Sequence, residues 1–330
     1  MLLVAGACLA TLSLTVGSAI ADPTSPTGPR QLPGVGSNTT EDVMNGYANG
    51  VTFSVPPYAG VIVGGTKIVA SYDATGTATI TTKNTPECTN IPRPNGSTDG
   101  VNALAGLKPG FPADCAEFAR SSANSAASRT GQNLTFIPFA LDGLTYATAS
   151  VSSIPRNLTL AQLTSIYAKK TTDAGGCGTR QPLIPQAGSG TRSAWLTLLG
   201  LTEATLGDCV KATVPAGSVE ENDGRVLTNP NQLVPYSVAQ WIVQTTQPSV
   251  LDRHGNSVLR AINGESPFDL SDFPGARKLY NVLRNADIGV APYNTTFVGA
   301  GSAICSHPEV LEAYGMTPIS DCGSTAIQTP

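Results

Sequence analysis

Along residues 160–167 the apolar positions Leu160, Leu163, Ile166 and Tyr167 recur at helical spacing, which predicts a helix. The same stripe runs through SAWLTLLGL, residues 193–201, at Trp195, Leu198 and Leu199, and a short one through VLEAYGM near the end. Extended apolar runs predict strands at AGVIVGG, KIVASYDA, TATITT and RKLYNVLRN, and LVPYSVAQWIVQTT reads as a buried strand leading into a helix. CAEFARSSANS reads as a strand that ends in a hydroxyl-rich loop. LTFIPFALDGLTYATA reads as two extended runs joined at Asp142 and Gly143, a hairpin or crossover signal. Strands and helices alternate throughout, which argues for an α/β fold with parallel elements. No repeat of fixed period is visible.

Composition narrows the function classes. The 330 residues suffice for two domains or one domain of two lobes, and 41% hydrophobic content supports real cores. The 34 Gly and 25 Pro are spread among apolar runs, so they indicate many turns rather than a disordered chain. Net charge is −4, with no dense Lys/Arg cluster, which argues against nucleic acid as a partner. Any anion site must then be local and built largely from backbone and hydroxyl groups.

The first 21 residues are apolar and uncharged and end in Ala19, Ile20 and Ala21. They read as a signal peptide without a basic n-region, cleaved after Ala21, giving an exported, extracellular or cell-envelope protein. Cys8 is not read as a lipoprotein cysteine, because Ala5, Gly6 and Ala7 before it include no Leu and the apolar run continues past it. Residues 22–33 read as a mobile Pro-rich leader. Six cysteines follow, an even count that suggests disulfides in an exported chain. Of the fifteen possible pairings, sequence proximity favours Cys88–Cys115, Cys177–Cys209 and Cys305–Cys322. With no CxxC and only His254 and His307, neither a metal nor a cofactor is expected.

Candidate chemistry lies in three Gly/Ser/Thr turns, GVGSNTT, NGSTDG and AGSGTR, each ahead of a helix-like segment. A fourth hydroxyl-rich loop, at Arg120, Ser121 and Ser122, ends a strand. In the first turn, Gly34, Val35, Gly36 and Ser37 form the turn, and Glu41 and Asp42 place acids at the helix start. Helix N-termini present free N–H groups and the positive end of a dipole, so such loops can cradle an anion. The same residues also serve as ordinary helix caps. Ligands of open α/β sheets sit where helix N-termini converge at the carboxyl ends of strands.

In the order GVGSNT, NGSTDGVNAL, EFARSS, SGTR and VPYSVAQW, the chain resembles the phosphate-binding periplasmic proteins of phosphate ABC transporters. It resembles their Gram-positive substrate-binding relatives more closely, over about residues 34–322. The resemblance implies a two-lobed periplasmic-binding-protein-like α/β fold (type II), with a hinge and the ligand between the lobes. Lobe I is expected at 22–138 and 280–330 and lobe II at 139–279, with crossings near FIPFAL and KLYNVL. The implied ligand residues are Asn38 and Thr39, Ser97 and Thr98, and Ser189, Gly190 and Thr191.

Two departures qualify the resemblance. The family's aspartate, which accepts the proton of hydrogen phosphate, is Ser122 here, with Arg120 two residues earlier. The family's arginine four residues before the SGT serine is Pro185, and Arg192 just after the turn is the expected substitute. Arg120, Ser122 and Arg192 therefore join the candidate donors.

The expectation is a monomeric, non-enzymatic solute-binding protein that takes a small oxyanion, phosphate before others, with an ABC permease as partner. The alternative is a secreted interaction or adhesion protein of the same fold. A hydrolase is disfavoured because neither Ser189 nor Ser302 completes a GxSxG elbow. Residues 220–223, EEND, read as a solvated loop, the sharper reading being an acidic contact to a protonated ligand. Asp73 reads as a turn residue, Trp195 and Trp241 as core, and His307 as a surface loop residue.

Overall fold

The computed structural model describes residue 22 and residues 29–330, apart from Ala216. Its main sheet has eight strands: β1 (Leu32–Gly36), β2 (Val69–Ser71), β3 (Phe118–Ser121), β4 (Leu134–Ala149), β5 (Gln181–Pro182), β6 (Gln232–Ser237), β7 (Ser257–Leu259) and β8 (Ala276–Arg284). Their order is β5-β6-β4-β8-β3-β1-β2, with β7 also paired to β4. Strand β1 pairs in parallel with β2 on one side and β3 on the other, and β5 pairs in parallel with β6, whereas β4 and β8 run antiparallel to their partners.

Sixteen residues form β4 as one continuous strand, so Asp142 and Gly143 make neither a hairpin nor a break. The strand instead changes partners there. Up to Gly143, which faces Ala276, it pairs with β8; from Leu144, which faces Ser237, it pairs with β6 and β7. Asp142 stays in the strand because its buried carboxylate accepts hydrogen bonds from Ser237 Oγ (2.9 Å) and Ala239 N (3.0 Å) and pairs with Arg277. Turn-like residues in sequence are here held by tertiary partners.

Each half of the sheet has its own core. Leu32, Met44, Tyr47, Phe118, Phe139 and Leu283 pack one half, and Tyr146, Leu163, Tyr167, Trp195, Leu233 and Ile262 pack the other. The helices that cover them are α1 (Glu41–Asn49), α2 (Ser97–Leu104), α3 (Leu160–Tyr167), α4 (Gly190–Leu198) and α5 (Val238–Thr246), followed by the short α6 (Tyr293–Phe297) and α7 (Pro308–Ala313). The α3 stripe buries Leu163, Ile166 and Tyr167, and Thr159 with Gln162 forms a reciprocal capping box at its start.

The first Gly-rich stretch differs from expectation. Gly34, Val35 and Gly36 belong to β1, and the turn falls at residues 37–40. A glycine is needed at 34 because the Phe118 ring packs where a side chain would stand: a Cβ there would lie 2.0 Å from Cζ. The expected leader is also shorter, since Leu32 and Pro33 are strand residues and the Arg30 guanidinium reaches the carbonyls of Ala48 and Val69 (both 2.7 Å). Residues 1–21, with the expected cleavage site and Cys8, lie outside the described residues.

All three cysteine pairs favoured by proximity are disulfides, which fits an oxidising compartment. Among the described residues no helix is long and apolar enough to cross a membrane. Trp195 is fully buried, and its replacement by Ala is expected to destabilise the protein by about 3–5 kcal/mol, measurable by denaturant unfolding.

Candidate functional site

The carboxyl ends of β1 and β3 and the N-termini of α1, α2 and α4 meet between the two half-sheets. Ser37, Asn38, Thr39, Ser122, Ser189 and Thr191 are all fully buried there, and Ser97 nearly so. Ser97 Oγ lies 3.3 Å from Ser122 Oγ and accepts the Ser122 amide at 3.1 Å. Thr39 Oγ1 lies 3.2 Å from Thr191 Oγ1. The Thr98 amide donates to Gly188 O at 2.9 Å, joining the second loop to the SGT turn.

Gly190 is where these loops press together. A Cβ on it would lie 2.2 Å from Ser97 Oγ and 2.6 Å from Ser122 Oγ. Gly190→Ala is therefore expected to spread the cluster and weaken any ligand held by both serines. Titration calorimetry checks this, with unfolding curves to show the fold retained.

Capping and donation coexist at Ser189. Its Oγ accepts the Arg192 amide at 3.2 Å, as a helix cap should, while its proton goes to Glu221 Oε2 at 3.0 Å. The amides of Gly190 and Thr191 stand ahead of the α4 hydrogen-bond ladder, at the positive end of the helix.

The two arginines expected as donors lie elsewhere. Arg120 is fully buried, but its guanidinium binds Ser37 O (3.2 Å), Gly36 O (3.3 Å), Gly34 O (3.4 Å) and Ser71 Oγ (2.9 Å). Its donors are spent on the backbone that carries Asn38 and Thr39, so it positions the first loop. Arg192, the residue after Thr191 on α4, turns away from the cluster. It makes a forked pair with Glu203 (2.7 and 2.5 Å) and binds Pro185 O (3.0 Å).

The guanidinium at the cluster belongs to Arg277, the second residue of β8. It donates to Thr191 Oγ1 (2.9 Å), Thr39 Oγ1 (3.4 Å) and Ser122 O (3.4 Å) while paired with Asp142 at 3.0 Å. Nothing local to the sequence singles it out, since GARKLYNVLRN reads only as a strand.

The EEND run is not a solvated loop. Glu221 and Asn222 are buried, and Glu221 places its carboxylate among the hydroxyls, accepting from Ser189 at 3.0 Å and Thr39 at 3.4 Å. Glu220 accepts from Asn38 Nδ2 at 2.9 Å and Asn95 Nδ2 at 3.1 Å. Asn222 and Arg253 both reach Glu41 Oε1, at 3.0 and 2.9 Å. Acidic groups thus link the two half-sheets around the hydroxyl cluster. Asp73, read as a turn residue, is buried and accepts from Asn45 Nδ2 at 2.9 Å.

Burial raises these acids. Loss of solvent and the neighbouring Glu221 charge push Glu220 up to about 7, and burial also raises Glu221. Burial with the Glu41 charge lifts Asp42 to about 7 and Asp73 to about 6. Such groups hold protons more tightly folded than unfolded. Their contribution to stability is complete below their ordinary carboxyl range and is lost as pH rises toward 7. The ligand-free protein should melt at a higher temperature at pH 5 than at pH 8, as differential scanning calorimetry would show.

No protein-family model and no curated protein matches the chain. Among solved structures, a substrate-binding protein assigned to phosphate ABC transport, with bound phosphate, from Clostridium perfringens aligns over 88% of this chain and 99% of its own, at TM-score 0.57 and 14% identity. An ABC-type phosphate transport receptor from Vibrio cholerae aligns over 87% of this chain and 100% of its own, at TM-score 0.53 and 18% identity. The chain therefore has the α/β fold of periplasmic-type substrate-binding proteins.

Proposed function

We propose that the protein is an exported solute-binding protein that holds an oxyanion, phosphate before others, between its two half-sheets and delivers it to an ABC permease. The observation that carries this reading is the meeting of Thr39, Ser97, Ser122, Ser189 and Thr191, from four separate loops, with the Arg277 guanidinium. Neutral hydroxyl and amide donors in a dry site, with one arginine for charge, suit a small anion. In this reading the lobes divide where β4 changes partners, and closure brings α4 of one lobe onto α2 and residues 37–40 of the other. Asn38, Thr39, Ser97, Thr98, Ser122, Ser189, Gly190 and Thr191 line the site with Arg277, and Arg120 supports them from behind.

Glu221 gives the reading a further feature. Its carboxylate occupies the Ser189 and Thr39 donors, so an incoming anion shares them only if a proton accompanies it. An oxyanion that carries its own proton, as phosphate does near neutral pH, meets this condition and a fully ionised one does not. Calorimetric titration of refolded, phosphate-stripped protein with phosphate and sulfate tests the proposal. Heat with phosphate is expected, and no heat with either anion would overturn it.

A further inference from the structure

Beside the hydroxyl cluster lies a chamber of about 360 Å³, open to solvent on one side. It shares Ser122 and Arg277 with the cluster, and Leu144, Ala194, Leu198 and Pro274 supply apolar wall beyond them. Its size is that of a small-molecule pocket, far more than a bare tetrahedral ion fills, and its wall joins this apolar surface to polar groups that include Asn124, Ser193 and Lys278.

The boundary between cluster and chamber is narrow in chemistry. Ser122 presents a small side chain with its hydroxyl toward Ser97, and Arg277 presents nitrogen donors toward Thr191 and Thr39. Because Ser122 and Arg277 belong to both, an anion held by Arg277 in the proposed site lies beside the chamber. A bare oxyanion leaves the chamber to water, whereas an organic substituent extends it toward Leu144, Ala194 and Leu198.

From this juxtaposition we infer that the preferred ligand is a monosubstituted phosphorus oxyanion in its singly protonated form, a phosphonate or phosphate monoester, whose uncharged organic group occupies the chamber. This deepens the proposed function and rests on the cluster being an anion site. The gain comes from apolar area removed from water without loss of the donors to the remaining oxygens.

The experiment compares phenylphosphonate with inorganic phosphate by calorimetry on the full, phosphate-stripped protein at about pH 5.5, where both anions carry a proton. Phenylphosphonate is expected to bind on the order of tenfold more tightly or better. In Ala194→Phe and Leu198→Phe, which fill the chamber on α4 away from the donors, that advantage should vanish while inorganic phosphate keeps its wild-type affinity. Melting curves of both variants identify any that fails to fold, and the other then decides. Phosphate binding with no gain for phenylphosphonate, or a gain that survives both variants, would overturn the inference and leave the anion site standing. No binding of either compound would overturn the anion site itself, and this inference with it.

Discussion

Arg277→Met is expected to weaken oxyanion binding on the order of a hundredfold and to destabilise the fold by about 3–5 kcal/mol. The two losses have different origins. Binding falls because Arg277 is the guanidinium at the cluster, donating to Thr191 and Thr39, while Arg120 and Arg192 are engaged elsewhere. Stability falls because Asp142, fully buried, would lose its paired charge. The double variant Asp142→Asn with Arg277→Met separates the effects. Asn keeps one oxygen for the Ala239 amide and turns its NH2 toward Ser237 Oγ, whose hydroxyl can accept, so much of the stability should return while binding does not. Arg277→Lys, which retains charge but loses the fork, should fall between wild type and Met in affinity. Urea denaturation and calorimetric titration of the three variants check these outcomes, and wild-type affinity in Arg277→Met would remove Arg277 from the site.

The second large effect concerns Glu221. In the wild type, sulfate binding should decline about tenfold per pH unit above the Glu221 pKa, because each binding event must take up a proton. Phosphate should decline less over the same range, since it brings a proton of its own. In Glu221→Gln the competing charge is gone, so sulfate affinity should exceed that of the wild type wherever Glu221 is ionised and should lose its steep pH dependence. The charges facing Glu221 are Arg277, which favours its ionised form, and Glu220 and Glu41, which oppose it. Titrations in buffers of different ionisation enthalpy measure the proton uptake directly. Equal uptake in wild type and Glu221→Gln would show that Glu221 does not couple to the ligand.

The chain's own patterning determined a good deal. The helical stripe at Leu163, Ile166 and Tyr167, the strand-to-helix passage at LVPYSVAQWIVQTT and the three cysteine pairs follow from local periodicity, turn chemistry and short loop closure. So does the hydroxyl character of the loops at residues 37–40, 97 and 189–191, because Gly, Ser and Thr ahead of a helix act through their immediate backbone, and that of the loop at Ser122, which ends a strand. What the tertiary structure decided is where charge resides. Arg277 meets Thr191 across 86 positions and Thr39 across 238, and Glu221 meets Thr39 across 182. Arg120, equally plausible in sequence, is turned to the carbonyls of β1 by a pairing that only the sheet creates. Asp142 and Gly143 carry a turn signature that the paired strands on either side override. Local propensity acts within a few residues, whereas the field at a buried site is set by side chains that only folding makes neighbours.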